Sequence, residues 1–188
     1  MRIKKRFAGF LLLVICCILL LNIRSLGQLF FPVKYAEYIN QYAVRYAVDP
    51  YLVMGIIKTE SNFDETAVSH KNASGLMQII EPTALWLAEK MELSDFTYED
   101  ITTPALNIEM GCYYMAYLLD LYDGNTETAL AAYNAGAGNV NNWLADSTCS
   151  TDGKNLCYIP FPETRRYVNR VVVNRNIYTF LYDETQAE

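Results

Sequence analysis

The chain has 188 residues, a formal net charge of −6, and 52% hydrophobic against 19% charged residues. That is enough apolar material for one packed domain of ordinary size plus a small appendage. The acidic balance argues against nucleic acid as a partner, because phosphate binding needs a basic face.

The N-terminus is set apart from the rest. Arg2, Lys4, Lys5 and Arg6 make a basic cap over 1–6, and Phe7 to Leu21 is a run of fifteen residues without a polar side chain. With Asn22 and Ile23, the stretch 7–23 reads as one N-terminal transmembrane helix, a signal-anchor. It is short for a span of roughly 17–25 residues, and snorkelling Lys and Arg extend it. A basic cap held in the cytoplasm puts the remainder of the chain outside the cell membrane. A cleaved signal peptide is the competing reading, with Ser25 and Gly27 as small residues before a cut at Gln28. Both readings export the domain. Five of the 15 Lys and Arg lie at or before Arg24, and all 21 acids lie at or after Glu37. The exported part thus carries 10 cations against 21 acids, a net −11 that also disfavours electrostatic capture by anionic lipid.

Residues 24–34 read as a short spacer. From Tyr35 the pattern is helical almost to the end, and the domain is expected over 35–182 with a tail at 183–188. Tyr35, Ile39, Tyr42, Ala43 and Tyr46 fall at helical spacing. Asp49 is a good N-cap and Pro50 a good first residue for a helix running to about Ser61. Turn formers dominate from Asn62 to Ser74, so this is a loop or at most a small β-hairpin. Pro82 opens the next helix, and a polar loop covers 92–103. Pro104 starts a helix with Ile108, Gly111, Met115, Leu118 and Leu119 in register. Thr126 is read as the cap of "ETALAAYNAG", which Gly136 ends. "AGNVNNWL" gives a short helical turn, and Pro162 opens the last helix. The fold class is mainly α. The fifteen tyrosines suit packing rings whose hydroxyls stay wet at the edge of a groove.

No metal or cofactor is expected: there is one histidine, His70, and no CxxC spacing. Cys112 reads as a small core hydrophobe. Cys149 and Cys157 bracket a polar loop, and in an oxidising location a disulfide between them is expected, two free thiols being the alternative.

Glu60 is the unusual residue. Leu52, Ile56 and Glu60 form an i, i+4 row, and Val53, Ile57 and Glu60 a second one, so the carboxyl points where the core points. Such a group is either half of a buried ion pair or a desolvated acid at the edge of a cleft, kept protonated near neutral pH. The second is what a general acid requires. A two-carboxylate glycosidase would need a partner, and only Asp64 and Glu65 lie nearby in sequence. No GxSxG elbow or glycine-rich phosphate loop is present.

Five segments in order carry a resemblance: "ESNF" at 60–63, "AVSHKNASGLMQI" at 67–79, "PALNIEMG" at 104–111, "ALAAYNAGAGNV" at 129–140 and "ETRRYV" at 163–168. Together they resemble the catalytic domain of the soluble lytic transglycosylases, relatives of goose-type lysozyme. The resemblance implies a lysozyme-like helical fold acting on peptidoglycan glycan strands. It implies that Glu60 protonates the glycosidic oxygen and then takes a proton from the muramoyl 6-hydroxyl, leaving a 1,6-anhydromuramoyl end. The substrate's acetamido group is thought to stabilise the intermediate, so no second carboxylate is needed. Ser69, Gln78, Tyr133, Asn134 and Glu163 match substrate-binding positions, with the Tyr133 hydroxyl expected near Glu60. Three departures stand out. Asn72 replaces a common glycine but tolerates a left-handed turn. Ile80-Glu81 replaces Met-Pro at the groove wall, and Ala137 replaces a proline. A hydrolytic muramidase on the same fold and a non-catalytic peptidoglycan-binding module are the alternatives.

Overall fold

A computed structural model describes residue 19 and residues 22–183. Most of the expected transmembrane segment, 7–23, lies outside the described residues, as does most of the tail. Among the described residues no helix is long and apolar enough to cross a membrane.

The architecture is helical: α1 (Ile23–Phe30), α2 (Ala36–Arg45), α3 (Pro50–Glu60), α4 (Glu81–Lys90), α5 (Pro104–Leu121), α6 (Thr126–Ala135), α7 (Ala137–Ala145) and α8 (Pro162–Tyr182). A 3₁₀ turn at Tyr98–Thr102 precedes α5. Among the described residues there is no strand, only isolated antiparallel bridges, Val68 to Ser74 and Ser74 to Ile79. The small hairpin allowed for in the sequence is thus reduced to two bridges.

Contacts divide the described chain in two: residues up to Val33 with those from Ile177, and Lys34–Asn176. In the first unit α1 occupies most of the expected spacer, 24–34. It is held against the end of α8, where Gln28 Nε2 donates to the Leu181 carbonyl (3.1 Å) and the Tyr182 hydroxyl to the Phe31 carbonyl (2.8 Å). Gly27 permits the approach, since a Cβ there would lie 2.5 Å from Leu181 Cδ2.

The second unit is built around α3. Leu52, Val53, Met54, Gly55, Ile56 and Ile57 are all buried, so this helix is apolar on every side until its last turn. Its start follows the expected chemistry: Asp49 Oδ1 caps the Tyr51 N–H at 2.9 Å, and Asp49 also meets Arg175 of α8 at 2.6 Å. α8 passes close over α3 at Gly55, where a Cβ would sit 2.9 Å from the Val171 carbonyl oxygen. The N-cap of α6 is Asn125, whose side chain accepts from the Thr128 N–H, and not Thr126. Thr126 is already the first helical residue; the amide one position earlier reaches the third N–H of the turn.

The loop between α3 and α4 is a compact knot. The Ser61 hydroxyl donates to the Leu76 carbonyl at 2.8 Å. Asn62, Phe63, Asn72 and Gln78 all have positive φ. Asn72, at φ 57°, keeps the left-handed turn expected of it. Beneath the loop lies Asn107, fully buried. Its Oδ1 accepts from the Met77 N–H (2.7 Å), and its Nδ2 donates to the Ser74 (3.1 Å) and Ile101 (2.9 Å) carbonyls.

Cys149 and Cys157 do not form the expected disulfide. Both are free, Cys149 buried and Cys157 exposed. The Cys157 thiol donates to the Cys149 carbonyl (3.1 Å) and is thereby aimed at backbone, not at the other sulfur. The loop closes without a bridge, through the Cys157 N–H to the Cys149 carbonyl (2.8 Å) and through the Asp152 carboxylate, which accepts the Lys154 and Asn155 N–H groups. Cys112 is buried, as expected.

The packing at Gly55 gives a signed prediction. Gly55→Ala pushes Cβ into backbone that cannot yield and should cost about 1–3 kcal/mol. Gly138→Ala, with nothing within 4 Å of the new Cβ, should instead stabilise by about 0.5 kcal/mol. Urea unfolding midpoints of the two variants check the opposite signs.

Candidate active site

Glu60 ends α3, after the fully buried Leu52–Ile57 stretch, and opens into a cleft of ≈ 310 Å³. Helix periodicity leaves it no other direction. The side chain is only half-buried by surface, yet the carboxyl is withdrawn enough from water that its pKa rises from 4.5 to about 7. Burial causes the rise, since the charged form loses hydration. The buried Tyr167 hydroxyl opposes it by reaching toward the carboxylate. That hydroxyl meets no partner at full hydrogen-bond geometry among the described residues.

Ser69, Gln78, Tyr133, Asn134 and Glu163 line the same cleft as Glu60. Ser69 Oγ accepts the N–H groups of Lys71 (3.3 Å) and Ala73 (3.0 Å), so it also shapes the loop. Gln78 Nε2 donates to the Ala67 and Gly75 carbonyls, each at 2.9 Å, which leaves its Oε1 as the free acceptor. The Tyr133 hydroxyl donates to the Met77 carbonyl at 2.9 Å, not to Glu60. It lies near enough that the Glu60 charge, after burial, helps push its pKa up. Asn134 Oδ1 accepts from the Thr164 hydroxyl at 2.8 Å, which fixes the amide and leaves its N–H₂ to donate. Glu163, in the first turn of α8, lies 3.8 Å from Lys71, and both are mostly exposed.

Asp64 and Glu65 are not partners for Glu60. Asp64 is exposed and accepts from Thr66, whose hydroxyl and N–H hold its pKa down. Glu65 accepts the Tyr35 hydroxyl at 2.6 Å. His70, the one histidine of the chain, also lines the cleft, as does Ile80, which stands where the family has methionine at the groove wall. Two tyrosines were missed. Tyr167 lies four residues after Glu163 in "ETRRYV", on the same helical face, and that spacing marks it. Tyr114 carries no such mark, because a tyrosine within an apolar helix looks the same whether it fills a core or walls a cleft. Its ring lies 5.2 Å from that of Tyr133, and burial raises its pKa to about 12.

Residues 37–155 match the family described as Transglycosylase SLT domain. The chain belongs to that family. Among its relatives is a protein described as a putative soluble lytic murein transglycosylase from Haemophilus influenzae, 36% identical over 157 residues, covering 82% of this chain and 26% of the relative. Another, the membrane-bound lytic murein transglycosylase C of Histophilus somni, is 36% identical over 118 residues, covering 57% of this chain and 32% of the relative. The chain therefore spans about a quarter to a third of the length of these relatives. The 70-kDa soluble lytic transglycosylase of Escherichia coli, solved also in complex with bulgecin A, superposes with a TM-score of 0.73 at 28% identity. That match covers 82% of this chain and 25% of the other. The fold is thus the lysozyme-like fold of this family.

The raised carboxyl predicts a pH dependence of stability. Between about pH 4.5 and 7 the folded chain holds a proton that the unfolded chain has lost. The stability from that proton is complete below the lower value and is lost as pH rises through the upper one. Across this window the unfolding free energy should fall by on the order of 3 kcal/mol. Urea titrations should show a flatter profile for Glu60→Gln. In Tyr167→Phe, carboxyl NMR titration should find the Glu60 pKa raised further, because the opposing group is gone.

Proposed function

We propose that this protein is a peptidoglycan lytic transglycosylase that cleaves the β-1,4 bond between N-acetylmuramic acid and N-acetylglucosamine without net hydrolysis. The observation that carries this reading is one cleft carboxyl, Glu60, whose pKa lies near 7. Such a group can give a proton and take one back under the same conditions. The Glu60 carboxyl donates its proton to the glycosidic oxygen as the bond to the muramoyl C1 breaks, and the leaving sugar departs with a free hydroxyl. The muramoyl acetamido oxygen stabilises C1 meanwhile. The Glu60 carboxylate then removes the proton of the 6-hydroxyl, and O6 closes on C1 to give the 1,6-anhydro ring. Glu60 ends the cycle protonated.

The other cleft residues act on the substrate. The free acceptor of Gln78, the amide of Asn134 and the Ser69 hydroxyl bind sugar hydroxyls and acetamido groups, and Glu163 binds polar groups of the strand. Tyr133 and Tyr167 stay protonated, because burial and the nearby Glu60 charge raise both well above the ordinary value. Both act as neutral neighbours of the carboxyl, and Tyr167, whose hydroxyl is not committed to a backbone carbonyl as that of Tyr133 is, can donate to its charged form.

The catalytic domain spans 35–182 and works outside the cell membrane, held there by residues 7–23. The apolar run behind a basic cap supports the anchor, as does likeness to a relative described as membrane-bound.

The test is mass spectrometry of the products released from purified peptidoglycan. The expected products end in 1,6-anhydromuramic acid, and Glu60→Gln lowers their release by roughly 10²–10⁴-fold. Reducing muramic ends would identify a hydrolase instead. Equal release by wild type and Glu60→Gln would remove catalysis from this cleft.

A further inference from the structure

The aromatic lining of the cleft continues past its edge. Tyr114 and Tyr133 belong to the lining. Tyr114 meets Trp86 edge-on with centroids 6.1 Å apart, and Trp86 meets Tyr117 at 5.0 Å. Two helices produce this row. At the start of α4, Ile80 and Thr83 wall the cleft, and Trp86 follows Thr83 by three residues on the same face. On α5, Tyr117 follows Tyr114 by the same step. Three residues, about 4.5 Å along each helix axis, therefore carry both faces outward together.

The fully buried faces of the two helices lie elsewhere, and Trp86 and Tyr114 are half-buried. Ala84, Leu87 and Ala88 supply the buried face of α4, and Met115 and Leu118 that of α5. Tyr117 is 42% exposed, and Leu121, one turn further on, is 44% exposed. A partly exposed apolar row joined to a cleft, open at Tyr117 and Leu121, marks a binding surface. Its chemistry is also distinct. The charged lining residues Lys71 and Glu163 lie close to each other, whereas Ile80, Thr83 and Tyr114 carry no charge. Aromatic faces bear a negative quadrupole and favour the polarised C–H groups on the flat side of a pyranose ring.

We propose that Trp86 and Tyr117 form an accessory saccharide subsite, which holds further sugar rings of the strand bound in the cleft, beyond Ile80 and Thr83. This rests on reading the cleft as a glycan site. The row's continuity with the cleft, ring to ring from Tyr133, selects a glycan over a second copy of the chain.

The chain carries two tryptophans, and Trp143 is buried against Phe161, so sugar-dependent emission reports Trp86. The full chain in detergent micelles is titrated with chitohexaose and with chitotriose, neutral oligomers of N-acetylglucosamine. The expected result is an emission shift and tighter binding for the hexamer. Tyr117→Ala should weaken hexamer binding roughly 2–10-fold and narrow the gap between hexamer and trimer. Trp86→Phe should retain the preference for the hexamer, which tyrosine emission then follows, and Trp86→Ala should lose it. Thermal melts by circular dichroism show which variants fold, and Tyr117→Ala, at an exposed position, decides the matter if Trp86→Ala does not. Absence of an emission shift with hexamer, or an unchanged preference in folded Tyr117→Ala, overturns the subsite. So does concentration-dependent dimerisation that Tyr117→Ala abolishes, which gives the row to a second copy. In all these cases wild-type release from peptidoglycan continues and Glu60→Gln still lowers it, whereas failure of the cleft reading shows as release that is absent or that Glu60→Gln does not lower.

Discussion

The constraint that organises this domain is the need to hold one carboxyl partly out of water while leaving it reachable. Removing a carboxylate from water is costly unless it is paired or protonated. No basic side chain is paired with Glu60 among the described residues; Lys71, the cation of the cleft lining, sits by Glu163. Protonation is the remaining solution, and the pKa near 7 expresses it. The environment that imposes this is α3 itself, six consecutive buried residues, Leu52–Ile57, with the acid one turn further on. α8 supplies the rest by lying against α3 at Gly55, where only a hydrogen fits below the Val171 carbonyl. A side chain there would move α8, and with it Tyr167.

The opposite wall obeys a second constraint. The loop between α3 and α4 must present polar groups to the cleft without α-helix or β-sheet to support its backbone. It does so by spending side chains on itself. Ser69 and Gln78 tie down neighbouring N–H and carbonyl groups. Asn107 satisfies two more from below, the Met77 N–H and the Ser74 carbonyl, and ties the loop to the Ile101 carbonyl of the 3₁₀ turn, so that only the second lone pair of its Oδ1 has no partner among these. Four non-glycine residues of the loop sit at positive φ, each at some conformational cost. Such strain persists only where surrounding contacts over-determine it, and here they do.

One withdrawn acid beside Tyr133 and Tyr167, with the other cleft carboxyl, Glu163, mostly exposed near Lys71, differs chemically from a pair of working carboxylates. Two carboxylates divide the work of acid and nucleophile through different environments. One carboxyl must change role within the reaction, which it can do only if neither protonation state is strongly preferred. A pKa near neutrality meets that condition, and Tyr167 moderates it from the charged side.

Much of this was legible in the chain. The helices from α2 to α8 follow from apolar periodicity and from proline at the first or second helical position. The inward aim of Glu60 follows from its place three and four residues after Ile57 and Ile56, because local geometry alone decides which way a helical side chain points. What local geometry cannot decide is what waits on the other side. Tyr114 became a cleft residue, and Tyr167 a buried neighbour of Glu60, only once α5 and α8 had packed. The Cys149 and Cys157 thiols are free, with the Cys157 thiol turned to the Cys149 carbonyl, an orientation that their spacing in the chain does not set. The sequence by itself thus determined that a carboxyl would face the interior. Only the tertiary structure decided that this interior would be an open, half-dry cleft lined by tyrosines, because desolvation depends on every element that excludes water and not on the one that bears the charge.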